Sequence, residues 1–135
     1  MKVTKAFIER GNDGNYSVYI EESSDLNYGI HGVGDTAKDA VNDFISAYDT
    51  MCEFHQTKGL NFIEATFEFQ YDVASFLQYY SKKFTLAGLQ EITGISQGLL
   101  SHYVNGRKKP RKETVEKIEH SIHQFANELS QVRFI

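Results

Sequence analysis

With 135 residues, 41% hydrophobic and 13% aromatic, the chain is long enough for one ordinary domain or two small ones and can bury a core. No apolar run approaches the ~18 residues needed to cross a bilayer, and the opening MKVTKAFIER lacks the apolar core of a signal peptide, so a cytoplasmic protein with no membrane contact is expected. The formal charge of −4 hides a division: residues 1–71 hold five Lys/Arg against twelve Asp/Glu, a balance of −7, and residues 72–135 hold nine against six, a balance of +3.

A basic half suits a polyanion such as DNA, because its cations replace condensed counterions on phosphates. An acidic half suits a basic partner, or simply a solvated surface. Cys52 is the single cysteine, so no intrachain disulfide is possible.

In chain order, Lys2–Glu9 has the composition of a strand, with Val3, Phe7 and Ile8. The cluster Gly11-Asn12-Asp13-Gly14-Asn15 predicts a hairpin turn. Tyr16–Glu21 alternates, with Tyr16, Val18 and Ile20 on one face. A polar loop, Glu22–Asn27, leads to a short third strand near Tyr28–Val33, which Gly29, Gly32 and Gly34 make irregular. Asp35 and Thr36 are both capping residues, and Asp39 stands where the acidic member of a capping box would. Ala37, Ala40, Val41, Phe44, Ile45, Tyr48, Met51 and Cys52 form one apolar stripe of about four helical turns. Gly59 breaks the pattern, and Asn61–Tyr71 returns to a period of two, with Ile63, Ala65, Phe67, Phe69 and Tyr71 on one face. Residues 1–70 therefore read as a small antiparallel ββ(β)αβ domain with a helix on one side of the sheet.

Residues 71–135 read as an all-helical domain, making the whole chain α+β. Val73, Phe76, Leu77 and Tyr80 share one helical face. Thr85 caps a second helix over Leu86–Thr93, Gly94 breaks it, and Ser96 caps a third that ends near Asn105 before Gly106. The basic loop Arg107–Lys112, with Pro110, precedes a last helix whose stripe is Val115, Ile118, Ile122, Phe125, Ala126 and Leu129.

Leu86–Asn105, with Gly94 in ninth place, has helix-turn-helix spacing. Leu89, Ile95, Leu100 and Tyr103 fall where they would face inward and join the two helices. Ser96, Gln97, Gly98, Ser101 and His102 fall on the outer, amino-terminal side of the second helix of the pair, the side that enters the major groove in this motif. Gln97 is the first candidate to read a base edge, since its amide both donates and accepts toward adenine, and His102 is the second. Asn105, Arg107, Lys108, Lys109 and Arg111 follow, where cations would hold the phosphate backbone.

The run Gly94-Ile95-Ser96-Gln97, then Ser101 and Asn105-Gly106-Arg107-Lys108-Lys109-Pro110, resembles the lambda-repressor-like helix-turn-helix domains. Two positions depart from that pattern. Gln90 replaces a small alanine, and Leu86 replaces a phosphate-binding glutamine. The resemblance implies binding to double-stranded operator DNA. Because one recognition helix reads few base pairs, a homodimer or higher even oligomer is expected. The wide apolar stripe of the last helix, with Phe134-Ile135 after it, makes that helix a candidate for part of the interface.

Asp13-Gly14-Asn15-Tyr16-Ser17-Val18-Tyr19-Ile20 and Gly34-Asp35-Thr36-Ala37-Lys38-Asp39-Ala40 resemble the HicB-like antitoxins, although the polar loop lacks the proline usual there. That resemblance implies a truncated ribonuclease-H-like fold without catalysis. It also implies a small basic HicA-like ribonuclease toxin as partner, and repression of the chain's own operon. No catalytic residue, metal or cofactor is expected. Asp13, Asp25, Asp35, Asp39 and Asp43 invite a metal-nuclease reading, but turn, cap and solvated-helix roles explain them better. His120 and His123 lack a third ligand, and Cys52 continues an apolar stripe. The rival to the antitoxin is a stand-alone repressor whose first domain senses a small molecule or dimerises.

Overall fold

The computed structural model describes residues 1–135, and the chain divides into two compact units, Met1–Ser75 and Phe76–Ile135. In the first unit, strands β1 (Lys2–Arg10), β2 (Tyr16–Ile20) and β3 (His31–Gly34) precede helix α1 (Ala37–Lys58) and strand β4 (Ala65–Tyr71). The strands form one sheet in the order β3-β2-β1-β4. β2 lies antiparallel to both β1 and β3, with Ile8 opposite Val18 and Val18 opposite Gly32.

The expectation of a wholly antiparallel sheet is corrected at β4, which runs parallel to β1 with Ala6 beside Phe69. The single long helix α1 is the cause. A helix leaving one end of a strand carries the chain back to the other end, so the next strand runs the same way. β4 thus follows β3, and β3 is two reversals from β1.

One face of this sheet is packed. Ala6, Ile8, Val18, Ala37, Ala40, Phe44 and Ala65 are buried, and Phe44 is fully enclosed. The Phe44 ring meets Phe67 edge-on at 4.9 Å and Phe69 at 5.7 Å between centroids. Burying that one side chain contributes roughly 2–3 kcal/mol. Phe67 and Phe69 are themselves half-buried, covering the enclosed Phe44 ring.

Thr36, not Asp35, caps α1, its Oγ1 accepting the Asp39 N–H at 3.0 Å. The helix runs beyond the four turns expected and ends at Lys58, because the inward stripe continues to His55. His55 is buried, with Nδ1 hydrogen-bonded to the Met51 carbonyl at 2.9 Å and its ring 5.2 Å from Phe62 and 5.9 Å from Tyr28. Gly59, at φ 66°, closes the helix in the left-handed conformation. Cys52 is half-buried rather than enclosed, its Sγ 3.8 Å from Gln56 Nε2.

Two strands are shorter than expected, for one shared reason. Tyr28 stacks on Phe62 at 4.7 Å and donates its hydroxyl to the Ile63 carbonyl at 2.7 Å. Residues 28 and 62–63 are thereby committed to each other, and pairing begins only at His31 and Ala65. Gly32 and Gly34, expected to mark an irregular strand, instead lie against the α1 backbone near Ala40 and Phe44. Asp43 adds a tie, its carboxylate accepting the Val33 N–H at 2.9 Å.

Helix α2 (Val73–Tyr79) straddles the boundary between the units, and α3 (Leu86–Thr93), α4 (Gln97–Val104) and α5 (Lys112–Ser130) complete the second. The core here is Leu77, Leu89, Ile95, Leu100, Tyr103 and Ile118, all buried. Gln78 on α2 donates to the Val104 carbonyl at 2.9 Å, satisfying one of the open acceptors at the end of α4. No helix is long and apolar enough to cross a membrane.

Candidate nucleic-acid interface

Thr85 begins α3 as its cap, with Oγ1 accepting the Gly88 N–H at 3.0 Å. Gly94 ends it at φ 75°, a conformation that costs most residues roughly 1–2 kcal/mol. Thr93, itself buried, locks the turn. Its hydroxyl donates to the Leu89 carbonyl at 2.7 Å and accepts the Ile95 N–H at 3.1 Å. Ser96 then caps α4, taking the Leu99 N–H at 3.2 Å. Leu89, Ile95, Leu100 and Tyr103, the four residues expected to face inward, are between 0% and 7% exposed.

That packing fixes what α4 shows to solvent. Ser96, Gln97 and Gly98 are exposed at its amino-terminal end, and Ser101 and His102, one turn on, are half-buried. Asn105 is the exposed carboxy-terminal cap, with Nδ2 3.5 Å from Ser101 Oγ, the long limit of a hydrogen bond. After it the chain folds back, and the His102 carbonyl accepts the N–H groups of Arg107 at 2.9 Å and Lys108 at 3.3 Å. The basic loop is thus anchored on the last turn of α4. Arg107, Lys108, Lys109 and Arg111 are exposed and engage no carboxylate. All ten candidate residues therefore belong to α4 and the segment anchored to it.

A helix-turn-helix family model matches residues 77–122. The C-terminal half carries a helix-turn-helix. The match runs from α2 into α5, and with it DNA-binding transcription regulation is the supported class of activity. No curated protein and no solved structure matches the chain.

Three residues that hold this site were given no role from the sequence. Gln78 and Thr93 act through hydrogen bonds to main-chain atoms, which periodicity does not reveal. Gln90 was visible only as a departure from a small residue. Its side chain is exposed, out of the helix contact, and its Oε1 accepts the Gln97 N–H at 2.9 Å.

The other clusters weighed in the sequence have local roles. Asp13 closes its turn by accepting the Asn15 N–H at 3.0 Å. His120 and His123 are exposed on α5, and no three His, Cys, Asp or Glu side chains gather to hold a metal ion.

Proposed function

We propose that this chain is the antitoxin of a HicA/HicB-type toxin–antitoxin pair. Residues 1–70 bind and silence a small basic ribonuclease, and residues 71–135 bind the operator of the pair's own operon. The observation that carries this reading is the conjunction, on one chain, of an acidic α+β unit whose sequence resembles the HicB-like antitoxins with a segment that matches a helix-turn-helix family model. The charge division fits it, since a surface at −7 attracts a basic protein and would be repelled by DNA, while the +3 half is attracted to DNA.

The chain acts as a dimer or higher even oligomer. One recognition helix spans few base pairs, and a two-fold site takes two of them about one helical turn apart. The surface supporting self-association is the face of α5 and the tail after it. Ile118 is the only buried residue of that helix, while Leu129 is 55% exposed and Phe134 93% exposed.

Co-purification with the product of the adjacent gene, followed by ribonuclease assays of that product alone and in complex, tests the reading. A small basic ribonuclease that is captured and silenced supports it. If nothing is captured, the first unit is a sensing or dimerising module of a stand-alone repressor. The open groove of about 530 Å³ beside Cys52, Gln56, Leu60 and Phe62 would then be the first place to seek a ligand.

A further inference from the structure

We infer that Gln90 is a DNA-backbone contact that also positions the recognition helix: its amide nitrogen donates to a phosphate while its carbonyl oxygen holds the first N–H of α4. The inference rests on the DNA-binding reading above and adds a residue to it from outside α4 and the basic loop.

The Gln97 N–H is a donor only, so the atom facing it at 2.9 Å must be the Gln90 oxygen. The –NH2 end is then turned away from that bond, with its donors unused, on an exposed side chain. The same hydrogen bond fixes the direction of those donors, so little side-chain freedom remains to be lost on binding.

The surroundings favour an anion. Of the N–H groups in the first turn of α4, that of Gln97 is taken by Gln90 and that of Leu99 by Ser96. Gly98 lies between them with open space where a side chain would be. A phosphate oxygen placed beside the Gln90 amide would also face the positive end of a helix. Such a phosphate would belong to the rim of the groove that α4 enters, adjoining the base read by Gln97. One side chain on α3 would then set both the height of Gln97 and the register of the duplex.

The test uses the full chain and a duplex that the wild-type protein selects from a random pool. That duplex is remade with a neutral methylphosphonate at one phosphate at a time. Gln90→Glu keeps the acceptor for Gln97 and so keeps the thermal midpoint, but loses the donor and adds a negative charge. It should weaken the duplex about tenfold, the loss expected for one hydrogen bond to a charged group. Neutralising one particular phosphate should weaken the wild type and not Gln90→Glu. Gln90→Lys, which keeps a donor and loses the acceptor, should bind with a salt slope about 0.9 steeper. A purely structural role would leave the two methylphosphonate profiles identical, and that result, or wild-type affinity for Gln90→Glu, overturns the inference while the DNA-binding reading stands. A wild-type protein that selects no duplex overturns both.

Discussion

A Cβ on Gly32 would stand 2.3 Å from the carbonyl oxygen of Ala40, so strand β3 and helix α1 touch backbone to backbone. Both nearest atoms, Ala40 O and Phe44 N, are main chain and have no rotamer to yield. Gly32→Ala should therefore cost roughly 3 kcal/mol or more, at or beyond the upper end of overpacking penalties. Gly29 has nothing within 4 Å of the same construction, and Gly29→Ala should be neutral or slightly stabilising. Urea unfolding of the two variants checks the contrast. Equal stabilities would mean that the helix does not rest on the strand at this point.

Thr93 offers a second test of local packing. Thr93→Val preserves its shape but leaves the buried Ile95 N–H without the hydroxyl that accepts it at 3.1 Å. The expected cost is about 1–3 kcal/mol, and Thr93→Ser should recover most of it. Thermal melts followed by the helical circular-dichroism signal give the comparison. A valine variant as stable as the wild type would show that the turn between α3 and α4 does not depend on this bond.

Tyr19 and Tyr28 predict a response at high pH. The Tyr19 phenol donates to Glu9, and that bond, with burial and the Glu9 charge behind it, pushes its pKa up to about 12. Tyr28 is also pushed up to about 12, chiefly by burial and next by Tyr48. The folded chain holds both protons more tightly than an unfolded chain, whose phenols titrate near the ordinary value of about 10. Their contribution to stability is therefore complete below about pH 10 and is lost as pH rises through about 12. Titration by phenolate absorbance should show these groups ionising late. Glu9→Ala should bring one of them back toward the ordinary range, and an unchanged late phase in that variant would refute the cause assigned.

How much of this was legible in the sequence depended on whether the signal was local. Thr36, Thr85 and Ser96 each pair a capping side chain with the start of an apolar stripe, and each caps a helix as read. Gly94 and the inward set of Leu89, Ile95, Leu100 and Tyr103 follow from helical spacing alone. Long-range features were not legible. The parallel pairing of β4 with β1 joins residues more than sixty positions apart, and nothing in either strand's own pattern specifies direction. Gly32 looked like a weakness in a strand because the helix that needs its missing side chain lies further along the chain. Gln90 looked like a misfit for the same reason, since its partner is seven residues away across a turn. The ten candidate DNA contacts fall in one stretch of sequence, lying on α4, its cap Ser96 and the loop directly after it, so their grouping was legible.

The most direct test of the central claim, that α4 and its basic loop bind and read DNA, is enrichment of fragments of the source genome on the purified 135-residue chain. Wild type, Gln97→Ala and Lys108→Ala would be run side by side. Wild type should enrich a small set of fragments sharing a two-fold site with half-sites about 10 base pairs apart. Gln97→Ala should relax preference at one base position at a cost of roughly 1–3 kcal/mol, and Lys108→Ala should weaken all fragments similarly and flatten the salt dependence. No enrichment over bulk DNA, or two variants indistinguishable from wild type, would contradict the account.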